Sequence, residues 1–525
     1  MRNIYAIIFM FITISIWGQE VQMQDKTEAL QQAVDAVVLD ATFAQAVVGV
    51  CVMDTEGQIL AGFNQETMLV PASNMKLFST GAALHILGPE HCFETTIAHD
   101  GVIEDGVLNG NLFIIGGGDP TLASKDSIAV PVERTFAIWE KLIRDAGIRR
   151  IEGAIVGDGR YFEGPAEEPS WLWNDIGTYY GAGVTGLMFY ENMQSFSVSA
   201  GSSVGAPVNI KPFYPECPWM DFRYACSTGA AGTGDKLYMY TSDLAPVAEI
   251  RGTFGVDRAA KRVDCANKFP EYTCAHYFAD YLRRKGISCS EGAGDFKLVT
   301  DWRQENDSAG AQGSESGHDN LIVLGSSFSP TLERIVFETN HASNNVFAET
   351  LFRSLGKTLR SSACYDSSYV AINDAFAEIG VAGLKGVRIQ DGSGLSRQNL
   401  VSPEALCRFL YAMTDSPAFD MFLTSLPSPG FNGTLEYNMK GQPEALRSRI
   451  KVKSGSMTGV RCYSGYILPS DSAGSSGTDT KDSVQSEGLP EGALIISIMT
   501  NNCTSPTWKV RPLLDRLMVA LAKTN

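Results

Sequence analysis

Ser73 and Lys76 stand three positions apart in Pro71-Ala72-Ser73-Asn74-Met75-Lys76-Leu77-Phe78, a spacing that puts a hydroxyl and an amine on one helical face. An amine kept neutral by desolvation and by a nearby cation can take the serine proton at neutral pH, so covalent acyl chemistry needs no histidine. The same Ser-x-x-Lys spacing recurs at Ser354/Lys357 and Ser448/Lys451, and local context separates the three. Ser354 lies at the far end of a helical stretch beside Gly356. Ser448 leads into Arg449-Ile450-Lys451-Val452-Lys453, which alternates like a strand, where positions i and i+3 face opposite ways. Only Ser73 follows a proline and opens a helix-forming run, Lys76 to Leu87, which Gly88-Pro89 stops. At such a helix start, backbone N–H groups and the dipole favour a developing anion.

The flanking elements read as a sheet shared by the two ends of the chain. Ala46 to Asp54 and Gln58 to Phe63 are β-rich runs around Thr55-Glu56-Gly57, a hairpin leading into the Ser73 helix. Ile450 to Lys453, Cys462 to Leu468 and Ala493 to Met499 read as three more strands, and Trp508 to Ala522 as an amphipathic closing helix. Between them, Gly101 to Asn320 carries Gly-rich turns and alternating runs such as Leu112 to Ile115, and reads as inserted β-rich domains. Gly116-Gly117-Gly118 is a tight turn rather than a phosphate loop, because Asp119-Pro120 follows in place of Gly-Lys-Ser/Thr. Glu305 to Asn320 and Pro469 to Gly492 are rich in Ser, Gly and acidic residues without apolar periodicity, and read as surface connections.

Composition bounds the function. A chain of 525 residues, 44% hydrophobic and 19% charged, is globular protein in two or three domains. A net charge of -17 without clustered Lys and Arg argues against nucleic acid as a partner. Met1-Arg2-Asn3 followed by the apolar run Ile4 to Trp17 reads as a secretory signal over residues 1–18, with an uncleaved tether as the alternative. No cysteine precedes Cys51 and no later run is long and apolar enough to span a bilayer, so an exported protein, most simply periplasmic and without an integral membrane segment after signal removal, is expected. Eleven cysteines permit disulfides, with Cys217/Cys226 and Cys265/Cys274 as nearby candidates and at least one thiol left over. His85, His91, Cys92 and His99 lack a repeated ligand spacing, so neither a metal nor a cofactor is expected.

Two further motifs follow in order: Ser343-Asn344-Asn345 at the start of the helical run Val346 to Leu355, and Lys453-Ser454-Gly455 closing a strand. This ordered set, with Leu69-Val70-Pro71-Ala72 before the serine, Gly117-Gly118-Asp119-Pro120, Asp391-Gly392-Ser393-Gly394-Leu395-Ser396 and Gly433-Thr434-Leu435, resembles the class C low-molecular-mass penicillin-binding proteins. These are serine D-alanyl-D-alanine carboxypeptidases and endopeptidases. The resemblance implies an α/β (α+β) fold: a penicillin-binding transpeptidase/β-lactamase-like domain, an antiparallel sheet flanked by helices, with two inserted β-rich domains. The corresponding boundaries are 24–98 and 321–525 for the catalytic domain, 99–185 and 266–320 for the first insert, and 186–265 for the second. The 270 residues from Ser73 to Ser343 leave room for both inserts, which a class A β-lactamase lacks.

The same resemblance implies roles. Lys76 is the general base for Ser73, kept neutral by Lys453, with burial assisting. Backbone N–H groups of Ser73 and Ser456 form the oxyanion hole. Ser343 relays a proton to the departing D-alanine, and Asn345 holds Lys76 and the substrate backbone. Lys453 and Ser454, followed by Gly455, clasp the terminal carboxylate; the family usually has threonine where this chain has Ser454. Trp171-Leu172-Trp173-Asn174-Asp175 and Tyr180 are similar to the loop that reads a diaminopimelate side chain, Asp175 facing its distal ammonium beside Tyr180 and Met457, although Gly181 to Glu191 departs from the usual pattern. The implied substrates are peptidoglycan stem peptides ending in D-Ala-D-Ala, with β-lactams as covalent inhibitors.

Each motif also has a plainer explanation. Ser343 and Asn345 are good helix caps, Lys453 alone is a solvated strand residue, and Trp171, Trp173 and Tyr180 could be core aromatics under a loop. Two other functions compete with the peptidase: a β-lactamase-like hydrolase, which needs a deacylating water, and a non-catalytic penicillin-binding or cell-wall-binding module. No loop matching the class A deacylating Glu is found, and intact Ser73, Lys76, Asn345 and Lys453 weigh against loss of turnover.

Overall fold

In the computed structural model of this chain, residues 24–297, 321–381, 384–470 and 488–525 are described. The signal reading over 1–18, the connection Glu305 to Asn320 and most of Pro469 to Gly492 lie outside them. Among the described residues, no helix is long and apolar enough to cross a membrane.

The two ends of the chain share one antiparallel sheet of five strands, in the spatial order Ile450–Met457, Val460–Ile467, Leu494–Asn501, Val47–Met53 and Ile59–Phe63. Alternate residues feed two cores. Val50, Val52, Ile496 and Ile498 face the helix over residues 24–38 and the closing helix Thr507–Thr524. Cys51, Met53, Ile495 and Met499 face a helical layer made by Met75–Leu87, Asn345–Arg360 and Pro403–Met413. Because side chains alternate across a strand, a strand covered on both faces buries every residue, as Leu494–Asn501 does; its polar members are satisfied, Ser497 Oγ accepting from Ser464 Oγ at 2.9 Å, Thr500 Oγ1 donating to the Arg461 carbonyl at 3.0 Å and Asn501 Nδ2 to the Val70 carbonyl at 3.0 Å. The helix Met75–Leu87 is likewise buried over ten of its residues, Met75 to Leu84, so it is a core element rather than an amphipathic surface helix.

The chain leaves this layer after Leu87 and returns at Leu332. The excursion holds a mixed five-stranded sheet, Ala293–Asp295, Ile155–Asp158, Leu112–Gly116, Glu94–His99 and Ile322–Phe328, and a small four-stranded one. Two three-stranded sheets follow, built from strands between Met193 and Ala266. The strand pairings draw the edge of the insert differently from the sequence boundaries. Glu94–His99 and Ile322–Phe328 pair with each other, and the former with Leu112–Gly116, so both belong to the mixed sheet and not to the one that the two ends of the chain share. Nor is the insert only β-rich. The helices Val132–Asp145 and Pro270–Arg284 bury Phe136, Trp139, Ile143, Phe278 and Leu282 against the mixed sheet.

All eleven cysteines are free thiols. Cys265 lies in the strand Lys261–Ala266 and belongs to a different core from Cys274, which lies inside Pro270–Arg284. Cys217 packs in a core where Cys226 is only a partly buried neighbour, and its Sγ faces the Pro215 carbonyl. Proximity in sequence therefore does not pair either couple.

Candidate active site

Ala72–Asn74 forms one 3-10 turn that runs directly into the helix Met75–Leu87 and presents Ser73 at its mouth. Ala72 is held at φ 47°, a left-handed conformation that costs a non-glycine residue of order 1–3 kcal/mol and persists only where its surroundings enforce it. The enforcement comes from both sides. A Cβ on Gly394, itself at φ +84°, would stand 1.9 Å from the Ala72 oxygen, and one on Gly455 would meet the Pro71 oxygen at 2.6 Å. The edge strand Ile450–Met457 and the loop 391–396 thus clamp the serine turn through glycines. Asn74 is tied down as well, donating to Ser464 Oγ at 2.6 Å.

Lys76 is fully buried. Its Nζ lies 3.1 Å from Ser73 Oγ, 2.7 Å from Asn345 Oδ1 and 2.7 Å from the Ser393 carbonyl. The Asn345 amide is oriented by its other end, since Nδ2 donates to the Tyr180 carbonyl at 2.8 Å. A neutral amine has two N–H groups and one lone pair. Asn345 Oδ1 and the Ser393 carbonyl can only accept, so they take both N–H groups and leave the lone pair to the Ser73 hydroxyl. Burial lowers the Lys76 amine to about 7, while Glu349 and Asp391 push it back upward.

Those two acids were not recognised as part of the site from sequence. Glu349, one helical turn beyond Asn345, accepts from the backbone N–H of Ser393 at 2.7 Å and of Gly392 at 3.2 Å. Burial and then the neighbouring Asp391 charge push its carboxyl up to about 8. Asp391 accepts from Gly394 N at 2.8 Å, Ser396 N at 2.6 Å, Asn399 Nδ2 at 2.7 Å and Trp171 Nε1 at 2.8 Å. Together they fix the loop whose Ser393 carbonyl meets Lys76.

Ser343 is not at a helix start. It links Leu332–Ala342 to Asn345–Arg360 at φ 58°, and the cap of the second helix is Asn344, whose side chain accepts from Phe347 N at 3.2 Å. Ser343 is thus the left-handed C-cap of the first helix, and N-capping of the second accounts for neither Ser343 nor Asn345. Lys453, fully buried on the edge strand, donates to Ser343 Oγ and to the Ser454 carbonyl, each at 2.9 Å. It is held well below the ordinary lysine range by burial first and by Lys76 second. The expected order of causes is thus reversed for Lys76: burial depresses it, and the repulsion between the two amines falls on Lys453. Ser454 Oγ sits 2.8 Å from Thr434 Oγ1.

These groups open into a cleft of about 670 Å³ lined by Ser73, Ser343, Asn345, Ser456, Met457, Asp175 and Tyr180; Lys76, Lys453, Ser454 and Gly455 are buried outside that lining, Lys76 and Lys453 bonded to Ser73 and Ser343 on it. Arg397, missed from sequence, lines the same cleft. The Tyr180 hydroxyl donates to Asp175 Oδ1 at 3.2 Å, and burial followed by the Asp175 charge raises the phenol to about 12, so it remains a donor. The aromatics divide. Trp171 is a core residue bonded to Asp391, whereas Trp173 is 59% exposed and stacks on Tyr240. Of the other Ser-x-x-Lys pairs, Ser354 bonds its own helix at the Thr350 carbonyl and Ser448 caps the short helix Glu444–Arg447, a turn earlier than the strand expected there.

The sequence model of the D-Ala-D-Ala carboxypeptidase 3 (S13) family matches residues 30–507. The chain belongs to that family. It is a serine-type peptidase, similar to the D-alanyl-D-alanine carboxypeptidase of Actinomadura sp. strain R39, with 27% identity over 495 residues covering 91% of this chain and 82% of that protein. It is also similar to D-alanyl-D-alanine carboxypeptidase DacB of Haemophilus influenzae, 23% identical over 419 residues, covering 78% and 80% of the two chains. The crystal structure of penicillin-binding protein 4 from H. influenzae aligns with a TM-score of 0.73 at 20% identity, covering 95% of this chain and 98% of that one. The same protein complexed with a β-lactam aligns at 0.68 and 18% identity over the same shares. These likenesses establish the fold of the S13 peptidase, including its insert.

The clamp on the serine turn of this S13 peptidase carries a prediction. Gly394→Ala is expected to displace Ala72 and Ser73 and to slow acylation by a β-lactam about 10²-fold, the cost of a misplacement near 1 Å. Rapid-mixing labelling with a fluorescent penicillin checks it, and a wild-type rate would show that the loop yields freely.

Proposed function

We propose that Ser73 is the nucleophile of a D-alanyl-D-alanine carboxypeptidase and endopeptidase that trims peptidoglycan stem peptides through an acyl-enzyme. The observation that carries the reading is the buried Lys76 amine, whose two N–H groups are taken by obligate acceptors so that its lone pair faces Ser73 Oγ.

In this mechanism Lys76 Nζ accepts the Ser73 hydroxyl proton as Oγ bonds to the carbonyl carbon of the penultimate D-alanine. The tetrahedral oxyanion is met by the backbone N–H groups of Ser73 and Ser456. The C–N bond breaks, and the proton that Lys76 took from Ser73 passes through the Ser343 hydroxyl, itself bonded to Lys453, to the departing D-alanine nitrogen. Water then adds to the ester carbonyl as Lys76 takes its proton, and the C–O bond breaks with that proton returned to Ser73 Oγ, freeing the peptide carboxylic acid. Lys453 lies beneath the cleft surface, so it acts on the terminal carboxylate together with the Ser343 and Ser454 hydroxyls in front of it. A β-lactam follows the same first step, but its leaving nitrogen stays tethered and the ester persists, consistent with the β-lactam complex of the H. influenzae relative. The work is placed in the periplasm, where stem peptides lie and where the signal-like start would deliver the chain.

The test follows a D-Ala-D-Ala pentapeptide and benzylpenicillin in parallel. D-alanine release together with a long-lived penicillin adduct is expected. Rapid antibiotic turnover would favour a lactamase, and an adduct without D-alanine release a sensor.

Asp175 and Tyr180 are assigned to the substrate side chain, Asp175 facing a distal ammonium. Asp175→Asn is expected to raise KM about tenfold for a peptide with diaminopimelate at the third position, while leaving kcat and the kinetics of an acetylated analogue within about twofold. Equal losses on both peptides would remove Asp175 from recognition.

A further inference from the structure

Tyr190, Glu191 and Asn192 occupy three successive left-handed positions, at φ 54°, 55° and 52°. Non-glycine residues rarely do so even singly, at roughly 1–2 kcal/mol each, and such strain survives where neighbours over-determine it. Here the turn is bolted on both sides. Tyr190 N donates to the Leu122 carbonyl at 3.0 Å, Asn192 Nδ2 to the Gly183 carbonyl at 3.2 Å, and Asn267 N to the Asn192 carbonyl at 2.8 Å. The consequence is to aim one buried carboxylate. Glu191 accepts from Ser124 Oγ at 2.5 Å through one oxygen and from Asn344 Nδ2 at 2.8 Å through the other. Asn344 is the middle residue of the Ser343-Asn344-Asn345 loop and the cap of the helix that starts at Asn345.

Both asparagine side chains of that loop are therefore held by the inserted region: Asn344 by the Glu191 carboxylate and Asn345 by the Tyr180 carbonyl. Asn345 in turn presents Oδ1 to Lys76. We propose that Glu191 is a positioning residue, the strained turn of the insert serving to hold the Ser343–Asn345 loop in the register that orients Lys76 for proton transfer. The inference rests on the proposed role of Lys76 and adds to it a dependence of the catalytic centre on the insert. It also gives a physical reason for the unusual segment Gly181 to Glu191. The charged groups facing Glu191 are Lys125 and Asp126 from the 121–126 loop, and Lys125 is itself paired at 2.7 Å with Asp264 from the strand Lys261–Ala266. Burial raises the Glu191 carboxyl, and its two hydrogen bonds oppose that rise.

A donor–acceptor exchange tests this in the full-length protein. Asn344→Asp keeps a helix cap, since a carboxylate also accepts from Phe347 N, but sets a second carboxylate against Glu191. The rate constant for acylation by benzylpenicillin, measured per active molecule, is expected to fall at least about tenfold at pH 8. The ratio of variant to wild-type rate is expected to recover as pH falls and the two carboxylates share a proton. In Glu191→Gln/Asn344→Asp the new amide donates to the new carboxylate, and the rate is expected within about threefold of wild type. A wild-type rate in Asn344→Asp with a ratio flat across pH overturns the proposal. So does a double variant no faster than the single one. Should Asn344→Asp fail to fold, the double variant against Glu191→Gln decides: a tenfold deficit in the double overturns the pairing. Failure of wild-type protein to be acylated at all would instead strike the proposed function.

Discussion

Lys76→Ala is expected to slow acylation of Ser73 by about 10²–10⁴-fold while the fold persists, because the variant removes the base bonded to the hydroxyl. The arrangement leaves little scope for substitution by a neighbour. Lys453 is bonded to Ser343 and the Ser454 carbonyl, and Glu349 is turned to the backbone of the 392–393 loop. The same account fixes a pH dependence. Burial lowers Lys76 to about 7, and only the deprotonated amine can accept the serine proton. Below that value most molecules carry an ammonium, so the wild-type acylation rate should rise about tenfold per pH unit and level off above about 7. Lys76→Ala should lose that limb. Stopped-flow acylation between pH 5 and 9 measures both; an unchanged rate in Lys76→Ala would transfer the role of base elsewhere.

Arg353→Met is expected to destabilise the protein by about 3–5 kcal/mol, the range for breaking a buried charged network by removing one partner. Arg353 is fully buried in the helix Asn345–Arg360, the element that follows the Ser343–Asn344 link. It donates from Nε to the Ala363 carbonyl at 2.7 Å, from one terminal nitrogen to the Pro165 and Val184 carbonyls at 3.1 Å each, and from the other to the Glu163 carbonyl. Phe162 and Tyr365 lie against the guanidinium at 5.1 and 5.0 Å. Methionine fills comparable space but abandons all of those carbonyls, each costing about 1–3 kcal/mol when buried without a partner. Lysine does not rescue, because one ammonium cannot span the separate acceptors a planar fork reaches. Urea denaturation monitored by tryptophan fluorescence should show an earlier transition, with proteolysis first entering residues 163–184. An unchanged midpoint would mean water replaces the lost donors.

The meeting of the candidate site residues was legible because it is written in residue types at short spacing. Ser73, Lys76, Asn345 and Lys453 meet in space as their order along the chain suggested, and the two-ended sheet followed from period-2 apolar runs that proved buried on both faces. The limits of the insert were harder to see. Glu94–His99 abuts the serine helix in sequence, yet its hydrogen bonds go to Leu112–Gly116 and Ile322–Phe328, a partnership across more than two hundred residues that no local pattern records. The helix Val132–Asp145 did leave a signal: Val132, Phe136, Trp139 and Ile143 recur at helical spacing and were overlooked beside the alternating strands. Glu349 reads in sequence as an ordinary polar helix residue. Its place against the backbone N–H groups of Gly392 and Ser393 depends on a loop some forty positions away. Asn344 illustrates the opposite error, since N-capping was assigned to its two neighbours although the middle asparagine performs it.

Intact-mass and peptide-mapping mass spectrometry of wild-type protein and Ser73→Ala after brief exposure to benzylpenicillin bears most directly on the proposed nucleophile. One penicilloyl group per wild-type chain, located on the peptide containing Ser73 and absent from a folded Ser73→Ala variant, is the expected result. An adduct on another residue, or an equal adduct in Ser73→Ala, would contradict it.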